Sequence, residues 1–188
     1  MKPFITIAFA AMTTFSFSQE DIFTAVRKND TTAIQSLLKA GSDINEYDIK
    51  GFTPLILAVY LGNFDAAEFL LRKGAQTDLK DYSGNTALMG AAFQGHYSLC
   101  ELLLMYNANP NALNLNNANA LFFAVTFEQN DIAKLLIQHG TNLKQLDSFG
   151  KSVLDHAFMQ ENDILIGAIE DAAAVKWVGR CVQFIRIA

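Results

Sequence analysis

The sequence predicts an all-α solenoid of about five stacked helix-turn-helix units joined by tight β-turn loops. Three observations carry this. The chain repeats itself with a step of 33 residues, glycine or asparagine returns at two fixed places in each step, and each step holds two short segments with helical apolar spacing. At 188 residues, with three prolines and no Gly/Ser-rich run, the chain suits one domain with a sizeable core and no interdomain linker.

The repeat is visible residue by residue. Asp48, Asp81, Asn114 and Asp147 are equally spaced, as are Leu55, Leu88, Leu121 and Leu154, and Ala58, Ala91, Ala124 and Ala157. Leu70-Leu71, Leu103-Leu104 and Leu136-Ile137 fall in register, with Leu37-Leu38 one period earlier. The substitutions preserve physical roles. Thr53, Thr86, Asn119 and Ser152 share a position, and all can accept a hydrogen bond from free amides at a helix start. Pro54 follows at the first helical position, where its missing donor costs nothing. Gly51, Gly84, Asn117 and Gly150 form one set, and Gly41, Gly74, Asn107 and Gly140 another. Glycine exchanged only for asparagine marks a left-handed backbone, here a turn before one helix and the end of the next. Between these marks lie pairs such as "PLILAVYL" and "FDAAEFLLRK".

At this point the chain resembles the ankyrin repeat, with its Asp-x-x-Gly-x-Thr-Pro-Leu opening, a following Ala and Gly, and a Leu-Leu-x-x-Gly-Ala close. The stretch "DIKGFTPLILAVYLGNFDAAEFLLRKGAQTDLK", 48–80, matches best, and 81–113 and 114–146 match with more substitutions. Atypical terminal units at 20–47 and 147–175 complete a domain at 19–175, since end units meet water on one face. The family's His after Thr-Pro-Leu is replaced by Ile56, Met89, Phe122 and Asp155. The mid-repeat Gly62 and Gly95 give way to Glu128 and Glu161, which predicts different helix reversals in the last two units. The tail 176–188 lies outside the pattern and is expected to fold back as a cap over the exposed end of the stack; a membrane-surface role for its basic and aromatic residues is the less favoured reading.

Residues 1–18 read differently. Lys2 precedes an uncharged stretch, and Ser16 and Ser18 sit where a signal peptidase requires small side chains, so a signal peptide cut before Gln19 is expected. A buried N-terminal helix is the alternative. The expected destination is periplasmic or secreted, in a Gram-negative-type bacterium. Cys100 and Cys181 are too few for a disulfide framework; export would permit a bridge, but Cys100 falls at an apolar position that suits a small core residue.

Chemistry is sparse. The net charge of −5 advertises no nucleic-acid face. His96, His139 and His156 occupy unlike repeat positions with no metal spacing, and Asp155 and His156, adjacent on a helix, do not face one another. The expectation is therefore no catalytic residue, no cofactor and no metal. What remains is a surface. The resemblance implies binding through turn tips and first helices on a concave face. The corresponding residues are Ile49, Lys50, Phe52, Tyr60 and Leu61, then Lys80, Tyr82, Ser83, Asn85, Phe93 and Gln94. Asn116, Thr126 and Phe127 follow, then Ser148, Phe149, Lys151, Met159 and Gln160. Tyr60, Phe93 and Phe127 are expected to line up along successive helices as interface anchors. The chain thus reads as a monomeric, non-enzymatic scaffold for another protein. An inhibitor or immunity-type protein, an accessory subunit of an envelope enzyme, and an enzyme in its own right are the alternatives.

Overall fold

The computed structural model describes residues 21–185, with side chains as far as Ala174; the segment 1–18 assigned to a signal peptide lies outside the described residues. Among the described residues ten helices follow in pairs: α1 (Ile22–Arg27) with α2 (Thr31–Lys39), α3 (Pro54–Tyr60) with α4 (Phe64–Arg72), α5 (Ala87–Gln94) with α6 (Tyr97–Met105), α7 (Ala120–Thr126) with α8 (Asn130–Gln138), and α9 (Val153–Met159) with α10 (Asp163–Ile185). The odd helices pack in one rank and the even helices in a second behind it, each against its neighbour one unit away. Among the described residues there is no strand, only an isolated bridge between Leu146 and Ser152.

The predicted caps form. Thr53 Oγ1 accepts from the Ile56 amide at 3.2 Å, Thr86 Oγ1 from Met89 at 3.5 Å, and Asn119 Oδ1 from Leu121 at 3.1 Å. Ser152 and Asp155 close a reciprocal capping box. Asn119 is fully buried and its Nδ2 has no partner. Asn119→Thr, the residue used at positions 53 and 86, removes that stranded donor. It is expected to stabilise the chain by about 1 kcal/mol; an unchanged or lower urea midpoint would contradict this.

Each turn before a first helix is organised by one side-chain oxygen. Oδ1 of Asp48 accepts from the Lys50 and Phe52 amides, and Oδ1 of Asp81 from Ser83 and Asn85. Asn114 does the same for Asn116 and Ala118, and Asp147 for Phe149 and Lys151. A second ladder stitches neighbouring units: Asn45, Asp78 and Asn111 each accept from a backbone amide one unit on, at Gln76, Asn109 and Asn142. Behind these loops the core is apolar and finely sized. Ala58, Ala91, Ala124 and Ala157 are completely buried where first helices meet, and Leu70, Leu103 and Leu136 are completely buried on the second helices. Cys100 stands in register with Ala67 and Ala133 in the same core; its thiol is free, and burial pushes it up to about 12.

Two expectations need correction. The helix reversals of the last two units do not differ from the others. Glu128 and Glu161 hold φ of 54° and 53°, in the same left-handed well as Gly62 at 74° and Gly95 at 77°. The packing of the units dictates the reversal, and the two glutamates accept the strain. Glu128→Gly is accordingly expected to stabilise by about 0.5–1 kcal/mol, read as a higher urea midpoint; a lower one would contradict it. The second correction concerns the tail. The backbone shows no break or reversal after residue 175: α10 runs on without interruption to Ile185, so residues 176–185 extend the last helix. No helix among the described residues is long and apolar enough to cross a membrane.

Candidate functional site

The first helices and turn tips carry a connected row of aromatic rings. Phe52 lies 5.9 Å from Tyr60 between ring centroids, and Tyr60 stacks on Phe93 at 6.2 Å with only 10° between planes. Phe93 then meets Phe127 edge-on at 4.6 Å and Phe123 edge-on at 6.4 Å. The physical origin is the repeat itself. Tyr60, Phe93 and Phe127 sit near the ends of α3, α5 and α7, and stacking brings those ends side by side. Tyr60 is 39% exposed and Phe127 44%, while Phe93 is half-buried between them. Phe93 is therefore the hub that holds the other rings in place as well as a surface residue.

Two pits flank this row. The first, of about 190 Å³, lies between the second and third units, walled by Phe52, Tyr60, Phe93 and Phe123 over Ile56 and Met89. It exists because of Gly90. Thr24, Leu57, Phe123 and His156 occupy the equivalent position in the other units, whereas a Cβ built on Gly90 would meet nothing within 4 Å. A glycine inside a helix costs about 1 kcal/mol relative to alanine, and here it leaves an opening. The second pit, of about 180 Å³, lies between the fourth and fifth units and is lined by Phe122, Phe123, Phe127 and Phe149. Each pit also has a turn carboxylate at its edge, Asp81 in the first and Asp147 in the second. A larger open hollow of about 710 Å³ lies on the second-helix side, between Tyr97 and the start of α8. Its lining is polar, and none of the expected binding residues reaches it.

Of the residues expected to bind, the structure brings Phe52, Tyr60, Asn85 and Phe93 into the first pit, and Asn116, Thr126, Phe127, Ser148 and Phe149 into the second. Ile49, Lys50, Leu61, Lys80, Tyr82, Ser83, Gln94, Lys151, Met159 and Gln160 line neither. Tyr82 is 70% exposed, but one face of its ring covers Gly51 of the preceding turn. The Lys80 ammonium donates to the Leu113 carbonyl at 2.8 Å, Lys151 Nζ lies 3.0 Å from Met159 Sδ, and Gln160 Nε2 donates to the Thr126 carbonyl at 2.7 Å. Sequence reasoning missed Gly90 and Phe123. The break in the pattern at position 90 was the available signal.

The one titratable pair at the pits is Asp147 with His156, joined through Oδ2 and Nε2 at 2.8 Å. His156 therefore reaches back to the turn nine residues earlier and leaves Asp155, its chain neighbour, to cap the helix with Ser152. The pair ties turn to helix. Burial pushes the Asp147 carboxyl up. Hydrogen bonds from His156, Lys151 and Phe149, with the imidazole's charge, outweigh that and hold it below the ordinary carboxylate value. A carboxyl held low in the folded state contributes stability above its unfolded value and loses it as pH falls through the folded one. Stability is expected to fall on acidification below about pH 4, and Asp147→Asn to flatten that fall. Identical urea midpoints for both proteins across this range, apart from a constant offset, would contradict it. Among the described residues no group of three or more His, Cys, Asp or Glu side chains converges as a metal site.

Stacked helix pairs of fixed period, capped turns and an aromatic face define a repeat protein of the interaction-module class. A family model of ankyrin repeats, in three copies, matches residues 22–114, and the same backbone pattern continues through the later units. The chain belongs to the ankyrin-repeat family, whose members are generally protein–protein interaction modules. No curated protein matches it.

Proposed function

We propose that the chain is a non-enzymatic scaffold that grips another protein on the face made by its first helices and turn tips. The observation that carries this reading is the connected row Phe52-Tyr60-Phe93-Phe127, with two exposed rings held rigidly by a half-buried one. Rigid, pre-positioned aromatics lose little entropy on binding and are the usual anchors of protein interfaces. The potentially reactive groups nearby are already committed: Asp147 and His156 to each other, and Ser152 to its helix cap. The chain acts as a monomer, and the partner meets it outside the cytoplasm, after removal of residues 1–18.

The test is a pull-down from the cell envelope with the mature chain beside a Tyr60→Ala/Phe127→Ala variant of unchanged circular dichroism. A protein captured by the first and lost from the second supports the reading and supplies the partner. Equal capture by both would move the contacts off this face. The export arm is checked by intact mass: a native chain beginning at Gln19 supports it, and one retaining Met1 in the cytosolic fraction overturns it.

A further inference from the structure

We infer that the first pit is a receptor for a basic side chain, so that the partner presents an arginine or lysine to it. This deepens the scaffold reading and rests on it.

The geometry of the turns needs one oxygen that accepts from two amides, and Asn114 supplies it as well as any aspartate does, at 2.9 and 3.0 Å. The negative charge at position 81 is therefore surplus to the turn, and Asp81 lines the first pit. In the first pit, Asp81 Oδ1 takes both amides and Oδ2 has only the Asn85 amide nitrogen at 3.2 Å, which leaves it acceptor capacity. The turn-tip ammonium groups do not neutralise the site. Lys80 is held by the Leu113 carbonyl and Lys151 sits against Met159 sulfur, so neither is paired with a turn carboxylate.

The walls complement the edge. Ring faces carry negative quadrupole density, so a carboxylate beside several aromatic rings attracts a cation, while the same rings cover its aliphatic stem. Arginine fits best, because its planar guanidinium can lie on a ring and still reach the carboxylate. Gly90 provides the depth for that stem. The second pit has the rings without the free acceptor: Asp147 Oδ1 takes the Phe149 and Lys151 amides and Oδ2 meets His156 Nε2 at 2.8 Å.

The experiment selects a random 12-residue peptide library, displayed on phage, against the full mature chain. Parallel selections use Asp81→Asn, which keeps the turn acceptor as Asn114 does, and Gly90→Leu, which fills the first pit. Thermal melts confirm that both fold. The expected result is enrichment of an arginine or lysine, with affinity falling about tenfold in Asp81→Asn. Gly90→Leu should lose that selection. Enrichment of apolar or acidic residues, or basic peptides that bind Asp81→Asn equally well, would overturn the inference. So would a failure to enrich any peptide. A homodimer that dissociates in Asp81→Asn would give the pit to a second copy and overturn it too. The scaffold reading stands or falls separately, on whether envelope capture depends on Tyr60 and Phe127.

Discussion

Tyr60→Ala/Phe127→Ala is expected to weaken binding of the purified partner by about a thousandfold while leaving the fold intact. Each exposed ring acts as an anchor worth about 2 kcal/mol when buried by a partner, and two such anchors together amount to about three powers of ten. Neither ring is needed to close the core, since both are more than a third exposed. Phe93 behaves differently. It packs on Tyr60, Phe123 and Phe127 at once, so Phe93→Ala is expected to lower both affinity and stability. Titration calorimetry read beside urea melts separates the two effects. A double variant that binds within threefold of the parent would remove the rings from the interface.

The largest expected effect on stability comes from one of two glycines that look identical in the sequence. Gly84 and Gly150 hold the same place in the repeat and the same left-handed backbone, with φ of 80° and 75°. A Cβ on Gly84 would lie 2.8 Å from the Leu115 amide nitrogen and 3.1 Å from the Asn114 Cα, backbone atoms of the next turn. One on Gly150 would meet nothing within 4 Å. Gly150→Ala is therefore expected to cost only the backbone strain, about 1–2 kcal/mol. Gly84→Ala carries the same strain and must also push two turns apart. That disturbs the bond from the Leu115 amide to the Ser83 carbonyl at 3.1 Å, so a loss of about 3 kcal/mol or more is expected. Equal losses at the two positions would show that the turns yield freely to one another.

That pair also shows what the sequence makes legible. A glycine–asparagine alternation reports φ, which is a local property, and all eight positions in the two sets have positive φ. Caps and periodic leucines are equally local and were read in register. What lies between units was not legible. The Asn45–Asp78–Asn111 ladder joins side chains to amides one unit away, and nothing within a single repeat announces it. Asp155 and His156 adjoin in the chain without facing one another, and nothing local announces that the fold gives His156 to Asp147. Glu128 and Glu161 were read from side-chain type as altered reversals, yet the packing of their neighbours imposes the glycine conformation on them. Tyr60 and Phe93 were foreseeable as neighbours because they stand one repeat step apart, while Phe127 falls one residue past the next step, held by Thr126. The first pit was not foreseeable, because it depends on a side chain that is missing.

Hydrogen exchange measured by mass spectrometry, with and without the captured partner, tests the central claim most directly. Exchange is expected to slow on binding in the turn tips at 48–52, 81–85 and 114–118 and in α3, α5 and α7, with α4, α6 and α8 unchanged. Protection concentrated in the second helices or in α10 would contradict it.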